Sequence, residues 1–255
     1  GATATTRATF RFAAAGRPLA YTLAGTFQGL DMRGLPERLS MPRLETQAAG
    51  QYEFEASGPD WRGTGALSES AVEGAWLGAG TVLGMQSRDR ALSYSASGSV
   101  AQLNPRRFAA PLKVEWLDEG RFNGSLTGTF SFEGSGRSTD DLVLRASASL
   151  VDSTLAGVRF PNAGVDFEMA RREIRTKFAG PFEHLPGTLF TERKELADTT
   201  LNGSAEMGVG FTIPKVGRIE LLEADGAITL SSSMIAGVAV DSARVTGAFA
   251  NHTVT

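Results

Sequence analysis

The sequence predicts an all-β protein: one elongated, curled antiparallel sheet of the β-taco, or repeating β-groove, kind, with an apolar inner face and at most one or two short helices. Three observations carry this. Apolar and polar residues alternate strictly over long stretches, the period-two signature of strands with one oily and one wet face. Turn residues interrupt these stretches every ten or so residues. The chain also resembles itself at a spacing of about 80 residues, a period long enough for several strands per unit.

Taken in order, Phe10 and Phe12 alternate ahead of a turn at Gly16-Arg17-Pro18, and Tyr52 and Phe54 do so ahead of Gly58-Pro59-Asp60. Leu92, Tyr94, Ala96, Gly98 and Val100 alternate with serines, and Asn104-Pro105 follows. Leu112, Val114 and Trp116 read as a short strand before Asp118-Glu119-Gly120. The longest alternation runs from Phe122 through Gly124, Leu126, Gly128 and Phe130 to Phe132, with Asn, Ser and Thr between, and ends at Gly134-Ser135-Gly136. Leu142, Leu144, Ala146, Ala148 and Leu150 form the next strand, and Val165, Phe167 and Met169 follow a turn at Pro161-Asn162. Val209, Phe211 and Ile213, then Val238 and Val240 after a turn at Asp225-Gly226, close the series. Helical composition is confined to Leu189–Ala197, with one turn at Leu35–Leu39. At about fourteen residues per strand and turn, the chain holds on the order of eighteen strands.

The repeat is read from residues. Gly50-Gln51-Tyr52-Glu53-Phe54-Glu55-Ala56-Ser57-Gly58 resembles Gly128-Thr129-Phe130-Ser131-Phe132-Glu133-Gly134-Ser135-Gly136, 78 residues on. Leu150-x-x-Ser153-x-x-Ala156-Gly157-Val158 recurs 80 residues later as Leu230-x-x-Ser233-x-x-Ala236-Gly237-Val238, and Ser70-Ala71-Val72-Glu73-Gly74 is an earlier, looser version. Segments beginning at Leu30, Leu103 and Glu183 read as connectors after strands ending at Gly25, Gly98 and Gly180. The units are placed at 1–98, 99–180 and 181–255, as one elongated segment of a longer protein.

Composition narrows the function. A hydrophobic content of 42% supports a sizeable core, while 30 glycines beside three tyrosines and three tryptophans suit a sheet with many bends. A net charge of −3, with scattered charges, lacks the basic footprint of a nucleic-acid binder. With no cysteine, neither disulfides nor thiolate metal sites form. The longest weakly charged apolar run, Gly74–Met85, is too short for a membrane-spanning helix. An outer-membrane barrel needs aromatic girdles richer than this chain's tyrosine and tryptophan content.

No catalytic constellation is read. His184 and His252 stand alone, without the converging partners a metal needs. Acidic pairs such as Asp118-Glu119 and Asp140-Asp141 fall in turns, and Ser231-Ser232-Ser233 lacks a nucleophile elbow. The chain therefore reads as a non-enzyme without cofactor or metal. What is left is the oily face, with Phe10, Phe12, Tyr52, Phe54, Tyr94, Phe122, Leu126, Phe130, Phe132, Leu142, Leu144, Val165, Phe167, Met169 and Phe211 as candidate groove residues. Gly124 and Gly128 leave recesses along it, to be filled by facing side chains in a solid core or by acyl chains in a groove.

The succession of strand, Ser-x-hydrophobic-x-Gly-hydrophobic turn and strand, at Ser153–Val158 to Phe167 and at Ser233–Val238 to Gly247, resembles the repeats of the AsmA-like and TamB group of bacterial envelope proteins. The Gly98-Ser99-Val100-Ala101-Gln102-Leu103-Asn104-Pro105-Arg106-Arg107-Phe108 connector does too. The resemblance implies a sheet curled into a groove with an apolar floor, in the periplasm between two membranes. It implies a non-enzymatic bridge for phospholipid transfer, or support of outer-membrane assembly, with acyl chains as ligand and envelope proteins as partners at either end. It places the full-length protein at the inner membrane. The competing reading is a solid-core repetitive structural or adhesive surface module.

Overall fold

Strict alternation along the chain resolves into strands paired with their neighbours in sequence. The computed structural model describes residues 2–12, 18–36, 42–136, 140–189, 196–212, 220–250 and 253–254. Among them, sixteen strands form one antiparallel sheet: β1 (Thr3–Arg11), β2 (Ala20–Leu30), β3 (Thr46–Ser57), β4 (Asp60–Leu67), β5 (Ser70–Val72), β6 (Ala75–Leu77), β7 (Val82–Arg88), β8 (Ala91–Leu103), β9 (Gly124–Ser135), β10 (Val143–Leu155), β11 (Val158–Ala170), β12 (Glu173–Pro186), β13 (Thr200–Thr212), β14 (Glu220–Ile235), β15 (Val238–Ala250) and β16 (Thr253–Val254). Order in the sheet follows order in the chain, except that β5 and β6 continue the rungs of β4 and β7. The accessible surface, 16718 Å², is half as large again as the roughly 10,800 Å² expected of a compact protein of this mass. The molecule is therefore an extended sheet.

The repeat is four rungs deep. β3, β4–β5, β6–β7 and β8 make one set, β9–β12 the second and β13–β16 the third, while β1 and β2 match the last two rungs of a set. Equivalent positions carry equivalent devices. Within each set the second and third rungs are joined by a two-residue turn with both residues at positive φ: Glu73-Gly74 (47° and 76°), Ala156-Gly157 (53° and 82°) and Ala236-Gly237 (48° and 81°). This is the type I′ geometry that matches the twist of a hairpin. The expected division at 98 and 180 is corrected here, because both points fall inside strands, β8 and β12. Boundaries lie instead at the connectors after Leu30, Leu103 and Pro186.

β2 and the last rungs of the first two sets, β8 and β12, carry a bulge at Gly29, Gln102 and His184, where φ is 64°, 59° and 60°. The strands thus run past Gly25, Gly98 and Gly180 rather than ending there, and Glu183–Pro186 belongs to β12. An extra residue on one strand bends and twists it. A bulge recurring at every fourth rung is a periodic source of curvature.

Other local expectations change for stated reasons. The segment read as a strand around Leu112 and Trp116 is a helical connector: 3₁₀ turns at Pro105–Phe108, Glu115–Asp118 and Gly120–Phe122 surround the short helix α1 (Ala109–Leu112). Asn104 caps it, accepting from the Arg106 N–H at 3.1 Å ahead of Pro105. Phe122 therefore sits in a 3₁₀ turn, and β9 begins at Gly124. Pro161-Asn162 and Asp225-Gly226 lie inside β11 and β14 instead of turning. The Leu189–Ala197 and Leu35–Leu39 helical segments, the Gly16-Arg17 turn and Ile213 fall wholly or largely outside the described residues.

Candidate apolar face

Directly paired residues of an antiparallel sheet share a face, so the register decides which side chains assemble. One row runs Ala8–Leu23–Phe54–Gly63–Met85–Tyr94–Gly134–Leu144–Met169–Ile174–Phe211 across eleven rungs. The next runs Tyr52–Gly65–Leu83–Ala96–Phe132–Ala146–Phe167. A third holds Phe130, Ala148, Val165 and Phe178. The register thus places Phe10, Tyr52, Phe54, Tyr94, Leu126, Phe130, Phe132, Leu144, Val165, Phe167, Met169 and Phe211 on one continuous face. Phe12 and Leu142 lie just outside their strands, Phe12 at 81% exposure. Phe122 packs instead edge-on to Trp116 in the helical connector, ring centroids 5.2 Å apart.

Sequence reasoning missed several members of this face, including Tyr21, Trp61, Met85, Phe178 and Met207. Each belongs to an alternating run broken by a polar or glycine position. Only cross-strand pairing reveals their company.

The face is smooth. Large and small residues oppose one another, as in Phe54–Gly63, Tyr52–Gly65, Phe130–Gly98 and Phe132–Ala146. A Cβ built on Gly134 would lie 2.5 Å from the Tyr94 ring and 3.1 Å from Leu144, so those side chains cover the glycine. The recesses anticipated at Gly124 and Gly128 do not exist. A Cβ there would lie 2.2 Å from the Thr154 carbonyl oxygen and 1.9 Å from that of Ser149, because the backbone of β10 occupies the space. The glycines permit close strand approach.

Every strand among the described residues belongs to the one sheet, so no second sheet lies over this face. The closest packing is between rungs adjacent in that sheet. Most of its side chains are half-buried by their neighbours, yet Phe132 stays 37% and Phe10 57% exposed. Full burial occurs locally, at Ala96, Met169 and Ile174 and in a cluster of Val158, Phe182, Ala205 and Leu230 at the connector end of β11–β14. Phe160 and Phe178 join that cluster edge-on at 5.6 Å.

The opposite face is polar and charge-ordered. Glu133, Arg145, Glu168, Arg175, Gly210 and Glu223 stand in one cross-strand row, alternating in sign. Arg145 Nε lies 3.6 Å from Glu168, and Arg175 reaches over Gly210 to Glu223 at 3.0 Å. The Glu223 carboxylate holds the Arg175 guanidinium pKa above its usual range. All four are exposed, so solvent screening leaves each pair contributing little to stability. Opposite charges thus neighbour one another from rung to rung. Broad depressions of about 900, 580 and 550 Å³ lie over this polar side, the first between Thr5, Arg7, Thr26, Glu53 and Val82.

His184 is exposed in its bulge, where its N–H donates to Asn202 Oδ1 at 2.9 Å. His252 lies outside the described residues. Among those residues, no cluster of three or more acidic or histidine side chains is placed to hold a metal, and no helix is long and apolar enough to cross a membrane.

Fold and site together define a repetitive, single-layer β-sheet, oily on one side and charge-laddered on the other. Comparison with protein-family models, with curated proteins and with solved structures finds no match.

Proposed function

We propose that the chain is a non-enzymatic bridge segment that keeps phospholipid acyl chains out of water along its apolar face, for transfer between the inner and outer membranes or in support of outer-membrane assembly. One observation carries this reading: an apolar face continuous over at least ten rungs has no second sheet of described strands on it and keeps large side chains such as Phe10 and Phe132 exposed. The resemblance to AsmA-like and TamB repeats supports it, and with it a periplasmic location, inner-membrane anchoring of the full-length protein and envelope proteins as partners.

Magnitudes decide what such a face holds. Shielding a methylene is worth about 0.8 kcal/mol. An open face that covers one side of a sixteen-carbon chain thus gains roughly 6 kcal/mol, against an association cost of at least about 4 kcal/mol. A single chain is held weakly, whereas two chains on one headgroup gain roughly twice as much for one association. Diacyl lipids are therefore the ligands, with affinity reaching about micromolar.

Delipidated protein exposed to phosphatidylethanolamine vesicles and analysed by native mass spectrometry carries diacyl lipid and at least a hundredfold less lysophospholipid. Protein that emerges with no lipid overturns the reading. The second reading, a repetitive structural module, is favoured by the covering of Gly134 by Tyr94, which seals the face without a ligand.

A further inference from the structure

We infer that, away from lipid, the apolar face is a docking surface whose partner is a second copy of this chain, set face to face. The face meets water along its whole length. Phe10, Leu83, Met85, Phe132, Met207 and Val245, on β1, β7, β9, β13 and β15, each keep more than a third of their surface exposed, and the register sets all six on the same side. The three rows described above hold no charged residue.

Area decides what such a face needs. Rungs about 4.8 Å apart, crossed by rows about 7 Å apart, make a patch of roughly 1,000 Å² between β1 and β13. The largest apolar patch on a monomer is about 300–600 Å², whereas a stable pair takes about 800 Å² from each partner. The face is too large for a lone chain in water and large enough to hold a dimer.

The shape of the face selects a second copy. Two sheets that stack do so about 10 Å apart and about 30° offset, because both carry the same right-handed twist. A copy of this chain brings that twist by construction. A face without charge meets itself without like-charge repulsion, and the smoothness left by opposed large and small residues, such as Leu83–Ala96 and Phe132–Ala146, suits a broad partner better than a narrow one. β8 is the middle rung between β1 and β13, and exposed Leu83 and Met85 on β7 and Phe132 on β9 flank it. A two-fold contact centred there overlaps the most rungs.

The pairing stands without the lipid reading proposed above; only its reversal by lipid rests on that reading, because lipid and the second copy compete for the same side chains. The test is sedimentation velocity of the delipidated chain at tens of micromolar, with and without a short-chain phosphatidylethanolamine below its micelle concentration. The parent sediments as a dimer. Phe132→Asp and Leu83→Asp each weaken pairing at least a hundredfold while circular dichroism stays that of the sheet, and Ser97→Asp, a charge on the polar side of the neighbouring rung, leaves the dimer intact. Added lipid turns the dimer into lipid-bearing monomers. A parent that stays monomeric, a series of larger oligomers, a dimer that survives both apolar-face aspartates, or one lost equally in Ser97→Asp overturns the pairing. Lipid bound to an undissociated dimer overturns the shared face. A dimer that takes up no lipid overturns the lipid reading and leaves the pairing in place, whereas a monomer that takes up lipid does the reverse.

Discussion

Ser153 is fully buried at the point where β10 gains its extra residue, Asp152, at φ 42°. Its hydroxyl accepts from the Thr127 N–H at 2.9 Å and faces the Thr127 and Val151 carbonyl oxygens at 3.0 and 3.1 Å, closing the gap the bulge opens in the ladder. Ser233 does the same for Asn202, and Ser70 for Ala49. The relay extends one strand further, since Thr127 Oγ1 accepts from Gln102 at 3.2 Å as Asn202 Oδ1 does from His184. Ser153→Ala leaves a buried N–H unpartnered, so urea unfolding registers a loss of about 1–3 kcal/mol. Gly128→Ala costs more than about 2 kcal/mol, because backbone blocks the new methyl. Ala156→Asn gains about 0.5 kcal/mol or more, since asparagine tolerates the left-handed turn position better than alanine. The spacing of Ser153 and Ser233 was visible in the sequence. Their burial was not, because nothing local distinguishes a serine that bonds a neighbouring strand from one that faces water.

Elements differ in how far their own residues decide them. The hairpins at Ala156-Gly157 and Ala236-Gly237 were legible as turns in the recurring Ser-x-hydrophobic-x-Gly-hydrophobic pattern, whereas Glu73-Gly74 showed only as a looser copy of the repeat. The connector at 104–123 was not, because Leu112, Val114 and Trp116 imitate a strand, while Asn104, Pro105 and the left-handed Lys113 impose short helical turns. The connector after β2 is likewise capped, by Asp31 accepting from Arg33 N–H at 3.0 Å. The side-chain hydrogen bond from Arg33, then its backbone N–H, lower the Asp31 pKa from 3.8 to about 2. A carboxyl depressed on folding stabilises fully above its unfolded pKa and loses that contribution as pH falls through the folded one. Carbon-detected NMR should accordingly show the Asp31 carboxyl titrating near pH 2 and the Arg33 amide shifting with it between about pH 4 and 2, and not at neutral pH.

At the scale of the molecule, alternation established the sheet and its two faces, but not which rows assemble. Rows depend on register, and register depends on bulges that leave little trace in composition. The apolar face also separates the two functional readings by mutation. Phe132→Asp puts a carboxylate on a third-exposed site with solvent at hand, so thermal unfolding shifts only modestly while the variant retains much less diacyl lipid. A variant that binds lipid as well as the parent removes the face from the function.

Because every rung leans on the one before and the one after, cohesion is shared out as a row of nearest-neighbour couplings. Pulled from its two ends, such a molecule should peel hairpin by hairpin, giving a sawtooth of similar force steps. Excision of four rungs, 124–199, should leave a shorter ribbon that still folds.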